Sequence, residues 1–236
     1  MKHLVAMSLF LVGSSLAATH SMASGQSDTA SNELDRNPPI QDDNRMVRLG
    51  VGAAIIEDLE YEYTDGTNQT GSGNIQSSGD WAFLLSYSFH LAGPLFWDIE
   101  GTNYNFDVDE ESYSDAGVSV DTEVDIDEGG VFWGLSTGPS VHFFRDRLFS
   151  PYLGVGVGYS YVKLPMAGDD DATDVKPFAS GKVGLDVKVL RRFYLGAEYR
   201  YTLIPLNERD FSSMHQGFEP DDLEMAGVFI TGRGTF

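Results

Sequence analysis

A chain of 236 residues carrying 36 Asp+Glu against 15 Lys+Arg has a net charge of −21 and lacks the basic surface that phosphate neutralisation requires, which excludes a nucleic-acid binder. It contains no cysteine, so a disulfide framework, a thiolate metal site and a cysteine nucleophile are excluded too. A hydrophobic content of 42% is too high for a disordered acidic tail, and the length suits one domain with a sizeable core.

The chain opens on Lys2 and His3, followed by the apolar stretch Leu4 to Gly13 (LVAMSLFLVG) and a run of small residues. This is the pattern of a signal peptide over residues 1–23, with cleavage after Ala17 or after Ala23. A spanning helix would need about 20 consecutive apolar residues, which the stretch does not supply. Residues 24–44 are polar, hold two prolines and show no apolar period, so they read as a flexible lead-in.

From Arg45 the hydrophobic period is two, which is the period of strands. Val47, Leu49, Val51, Ala53 and Ile55 form the first apolar row, and Trp81, Phe83, Leu85, Tyr87, Phe89 and Leu91 the second. Leu95, Trp97 and Ile99 follow, then Val131, Trp133, Leu135, Val141 and Phe143. The fifth to eighth rows begin at Leu153, Ala179, Phe193 and Ala226. Eight strands result. Tight turns at Ala92-Gly93-Pro94, Arg145-Asp146-Arg147 and Leu190-Arg191-Arg192 alternate with long polar connections, the layout of an up-and-down membrane barrel. A secreted sandwich or a lipocalin-like barrel would share this spacing.

Three features favour a barrel whose apolar row meets lipid. Large aromatics (Trp81, Trp97, Trp133, Tyr159, Tyr161, Phe193, Tyr201) stand near strand ends, as an interfacial girdle requires. The opposite rows mix Gly and Ser with both signs of charge: Arg48, Lys182, Lys188, Arg200 and Arg233 against Asp98, Glu100, Asp186 and Glu198. Ions sealed inside a narrow cylinder need such balance, because an unpaired buried charge is costly. The acidity is also confined to one rim. Residues 57–80 hold six acids and no base, 104–128 ten acids and no base, and the long connections together carry −23. Arg45, Arg145, Arg147, Arg191 and Arg192 gather at the other rim. In VSVDTEVDIDEGGVFWGL the odd positions change from acid to apolar across Gly129-Gly130; if that strand is unbulged, the outer membrane–water interface lies there.

With PYLGVGVGYSYV, GLDVKVLRRFYLGAEYRYT and a last alternating strand ending in Phe236, residues 45–236 resemble the eight-stranded outer-membrane barrels of Gram-negative bacteria: the opacity, OmpX and OmpW-like proteins and the OmpA barrel domain. The resemblance implies an all-β, eight-stranded antiparallel up-and-down transmembrane β-barrel in the cell outer membrane. Residues 24–44 would then be a periplasmic lead-in, and no peptidoglycan-binding domain is expected after the barrel. It also implies contact with outer-membrane lipid and lipopolysaccharide, and recognition of the strand ending in Phe236 by the barrel assembly machinery.

Chemistry is sparse. His90 and His142 have inward parity near Ser88 and Ser140, but at the short-turn end, away from the outer leaflet where related lipid-modifying enzymes act. His215, with Ser212 and Ser213, has no readable motif. No catalytic or cofactor-binding residue is assigned. Asp121, Glu123, Asp125 and Asp127 are weak candidates for oxygen ligation, without a calcium-loop pattern, and loose binding of Ca²⁺ or Mg²⁺ at the acidic loops is the expectation. Eight strands leave an interior that side chains fill, so the inward charges are expected to plug it. The expected role is non-enzymatic: envelope structure and surface interaction through acidic extracellular loops, with an extracellular ligand as a candidate partner. The alternative is an OmpW-like small channel for hydrophobic molecules, and third comes a lipid-modifying enzyme.

Overall fold

The computed structural model describes residues 44–64, 70–114, 121–144, 147–165, 172–206, 219–220 and 222–236. They form ten strands: β1 (Arg45–Ile56), β2 (Leu59–Thr64), β3 (Thr70–Ala92), β4 (Leu95–Ser114), β5 (Asp121–His142), β6 (Phe149–Leu164), β7 (Ala172–Leu190), β8 (Phe193–Ile204), β9 (Glu219–Pro220) and β10 (Leu223–Thr235). All pairings are antiparallel: β3 to β8 pair in chain order, β10 pairs with β8, and β1 pairs with both β3 and β10 to close a ring of eight strands, while β2 pairs with β3 and β9. Both chain ends of the ring meet at the short-turn rim, where Arg45 N donates to Phe236 O at 3.2 Å and Phe236 N to Arg45 O at 3.0 Å. β2 and β9 extend the first and last members of the ring beyond short breaks. They account for ten strands where the alternation predicts eight.

The alternation sets the faces as expected. Leu135, Val157 and Ile230 point outward at 65%, 64% and 72% exposure, while Arg200, Arg233 and Asp186 point inward and are buried. So much exposed hydrocarbon around a closed ladder suits lipid and not water. The girdle residues Trp81, Trp97, Trp133, Tyr159, Tyr161 and Phe193 are exposed on this outer face, whereas Tyr201 is half-buried. Trp97 meets its polar need within the wall, its Nε1 donating to Thr137 Oγ1 at 2.6 Å.

Two expectations are corrected. Segment 57–80, read as a loop, is largely strand, namely β2 and the first half of β3, while β4 and β5 run on to Ser114 and from Asp121 as the strand parity across Gly129-Gly130 anticipates. An antiparallel hairpin needs only one apolar face, so acids on the wet face leave the strand pattern unbroken. On β4 the outer row passes from Trp97 and Ile99 to exposed Asp107 and Asp109, while the inner row continues as buried Tyr104, Phe106 and Val108. The second correction concerns β5. Its strand is continuous but not unbulged: the β4–β5 register shifts between Val108↔Glu128 and Glu110↔Asp125.

The β5–β6 seam depends on a glycine. A Cβ at Gly158 would lie 2.0 Å from the Leu135 carbonyl oxygen and 2.7 Å from Ser136 Cα, so the two backbones approach as closely as they do only because none is present. Gly181 on β7 meets nothing within 4 Å. Gly158→Ala is expected to lower unfolding free energy by about 2 kcal/mol, measured by guanidinium titration in detergent. Gly181→Ala is expected to change it by less than about 0.5 kcal/mol. Equal losses in the two variants would contradict the close-approach argument.

Candidate functional site

Period-two strands wound into a narrow ring send half their side chains to a common lumen. In the half near the short turns, eight of these form one chain of alternating sign. Asp98 Oδ2 meets Lys182 Nζ at 2.6 Å, and Lys182 also contacts Glu100 Oε1. Glu100 Oε2 accepts from Arg200 Nη1 at 2.9 Å, and Arg200 Nη2 donates to Glu198 Oε1 at 2.8 Å. Glu198 Oε2 accepts from Arg48 Nη1 at 3.2 Å, and Arg48 Nη2 reaches Asp186 Oδ2 at 2.8 Å. Asp186 Oδ2 is shared with Arg233 Nη1 at 3.1 Å. Four cations face four anions, all buried. The remaining charge of the predicted set, Lys188, is half-buried and stands off this chain, with Nζ 5.7 Å from the centre of the Tyr194 ring.

Aromatic rings hold the chain in place. Arg48 lies over Tyr152 at 3.9 Å and Arg233 over Tyr194 at 3.8 Å, close enough for cation–π attraction. The Tyr152 hydroxyl donates to Glu198 Oε2 at 2.8 Å, and its ring stacks on His142 at 5.0 Å. Room for Tyr152 comes from Gly184, where a Cβ would fall 2.2 Å from the ring. His142 Nδ1 lies 3.3 Å from Arg233 Nη1; a guanidinium can only donate, so Nδ1 is the acceptor. His90 is half-buried, its Nε2 2.8 Å from Gly93 O. The two histidines thus sit in aromatic and backbone surroundings. His215, Ser212 and Ser213 lie outside the described residues, as do the side chains of Asp121, Glu123, Asp125 and Asp127. Among the described residues no three His, Asp or Glu side chains group to hold a metal ion.

The other half of the lumen is apolar, which the sequence reading missed. Ile56, Leu59, Ile75, Leu84, Tyr104, Phe106, Phe132, Phe178, Ile204, Met225 and Phe229 belong to one buried cluster. The signal was present in the inward positions Leu84, Phe132, Phe178 and Phe229. These bulky residues break the Gly/Ser rule of their rows and follow or precede an outward bulky residue.

The outer wall carries a recess of about 790 Å³ lined by Ile99, Leu135, Val157, Tyr159, Pro177, Phe178, Ala179, Leu203 and Pro205, among others. It lies below Trp133 and Tyr161 on the membrane-facing side. The β7–β8 ladder ends at Ala179↔Leu203. The next outward pair in that register would set Pro177 against Pro205, and proline has no N–H with which to continue a ladder. β6 and β7 remain paired up to Leu164↔Ala172, so above Ala179 the described part of β7 is paired with β6 alone. Phe178 belongs to both the recess and the inner apolar cluster.

The family model for an outer membrane protein beta-barrel domain matches residues 15–218. Among solved structures, OprG of Pseudomonas aeruginosa is similar at a TM-score of 0.53 and 14% identity, over 81% of this chain and 94% of that one. Neisserial surface protein A gives a TM-score of 0.48 and 13% identity over 81% and 97%, respectively. The outer membrane protease OmpT of Escherichia coli gives 0.49 and 11% over 83% and 98%. No curated protein matches the sequence.

Arg200 joins two carboxylates and Arg233 only one, which is itself shared with Arg48. Arg200→Met, leaving Glu100 without its guanidinium partner and Glu198 with Arg48 alone, is expected to cost about 3–5 kcal/mol, the range for a broken buried pair. Arg233→Met is expected to cost less. Guanidinium unfolding in lipid or detergent measures both, and the reverse order would contradict the chain as described.

Proposed function

The chain belongs to the outer membrane protein β-barrel family, and on that premise we propose a non-enzymatic barrel that serves envelope structure and surface interaction while keeping its lumen closed. The observation that carries this reading is the eight-membered charge chain. It is neutral in sum, crosses the lumen from β4 to β10, and sets each of its ions against at least one ion of opposite sign. The interior histidines suit the same reading: Tyr152 and Phe96 rings and Arg233 lie against His142, and the Phe96 ring and the Gly93 carbonyl against His90. Acid-bearing extensions of β4 and β5 present the surface for interaction, with divalent ions bridging them loosely to lipopolysaccharide. Residues 1–23 direct export, residues 24–44 lie in the periplasm, and the closing strand up to Phe236 engages the assembly machinery.

A second reading has its own observation. The apolar outer-leaflet recess, sharing Phe178 with an apolar upper lumen, supports a small conduit that passes hydrophobic molecules sideways into the membrane.

Two measurements separate the readings. In planar bilayers the purified barrel is expected to give no steady single-channel openings; regular conductance steps would overturn the closed lumen. Cells expressing the protein are expected to take up an apolar fluorophore at the rate of cells without it. Faster uptake that is abolished by filling the recess with Ala179→Trp would decide for the conduit.

A further inference from the structure

The hairpins at the short-turn rim are not alike. At the β3–β4 turn the left-handed backbone position is taken by Gly93, with φ +54°, as steric rules favour. At the β5–β6 turn Phe144 also has φ +54°. A bulky side chain there is a genuine outlier, and glycine or asparagine would make the same bend with less strain. Nor does the ring recover the strain through burial: Phe144 is 60% exposed and Leu148, in the same turn, 56%. Arg147 ties the turn, its N donating to Phe144 O at 2.9 Å and its guanidinium carbon lying 5.2 Å from the Phe144 ring. The neighbouring β7–β8 turn is joined to it by Lys188 N donating to Leu148 O at 2.8 Å. That turn adds exposed Leu190, Arg191 and Arg192.

The two turns together make a foot of exposed apolar side chains set among Arg147, Arg191 and Arg192, and since the first turn also holds Arg145 and Asp146 in sequence, the foot's net charge is positive. In water this is an expensive surface. At the edge of a bilayer it is a matched one: rings and aliphatic groups reach the acyl boundary while guanidinium groups meet phosphate in a two-pronged hydrogen-bond geometry. We propose that this foot binds the anionic phospholipid headgroups of the periplasmic leaflet. Charge placement argues for that leaflet, because the acidic extensions stand at the opposite rim and repel the same lipids. Phe144 then keeps its strained backbone because the bend aims the ring at the membrane.

The test uses the full barrel in an equimolar bilayer of phosphatidylglycerol and phosphatidylcholine, with the lipids that stay bound after extraction counted by native mass spectrometry. Wild-type protein is expected to retain phosphatidylglycerol preferentially. The preference should fall about fivefold for each arginine removed in Arg147→Gln, Arg191→Gln and Arg192→Gln, the value of one cation near an anionic surface. Phe144→Gly, which relieves the backbone, should fold at least as well and yet retain less of both lipids. Unchanged preference in the triple variant, in protein that keeps the gel mobility of the folded barrel, overturns the proposal. If the triple variant does not assemble, Arg147→Gln alone carries the test, with the same fivefold fall expected and no fall overturning it.

Discussion

A bilayer core offers no water to an open N–H or C=O, so a chain can cross it with strands only if the strands close on themselves. The pairing of β1 with both β3 and β10 meets that demand, and much else in the molecule follows from it. Closure with eight strands makes the ring narrow, and narrowness decides what the inward residues can be. They must fill the space, and any that are ionised must neutralise one another. Four cations and four anions arranged in strict alternation are one solution, and the rings of Tyr152 and Tyr194 lock its last two arginines in place.

The barrel changes its solvent along its length, and both faces of the wall change with it. On β4 the inner row reads Asp98, Glu100, Thr102, then Tyr104, Phe106, Val108, while the outer row reads Trp97, Ile99, then Asp107, Asp109. On β10 the inner row likewise passes from Arg233 and Thr231 to Phe229, Met225 and Leu223. The charged inner residues lie within the lipid-facing band, and the apolar inner rows begin inside that band, at Leu84, Phe132 and Phe229 beside outward Phe83, Trp133 and Ile230, and continue where the outer row of β4 turns to acids. The end of the barrel opposite the short turns is therefore built with a hydrocarbon core and, on β4, exposed acids. The recess at Pro177 and Pro205 lies close to that changeover, where the ladder between β7 and β8 stops.

Much of this was legible in the sequence, and the rest was hidden for physical reasons. Alternation from Val47 to Phe236 assigned each row to its face, because a period of two leaves no freedom once one face is known. The inward charges could be named from parity, but not their order of pairing, which depends on the shear of the ring and on distances such as Lys182 to Asp98 across β4 and β7. The first half of β3 was hidden because residues 70–79 are Gly, Ser and other polar residues with Ile75 alone apolar, whereas the alternation of Asp121, Glu123 and Asp125 did mark the extension of β5. The upper apolar lumen was hidden because Phe132 and Phe178 sit beside outward Trp133 and Pro177, where two bulky neighbours obscure the alternation. The strain at Phe144 left no trace in composition. Only the backbone angle shows it.

The central claim is that outward rows on β5, β6 and β7 meet acyl chains while their neighbours one residue away do not. With no native cysteine, single-cysteine variants at Leu135, Val155 and Val183 can each carry one spin label. In bilayers, power-saturation measurements are expected to show strong collision with oxygen and weak collision with a polar nickel complex at all three positions. Labels that collide mainly with nickel there would mean the wall faces water, and would contradict the account.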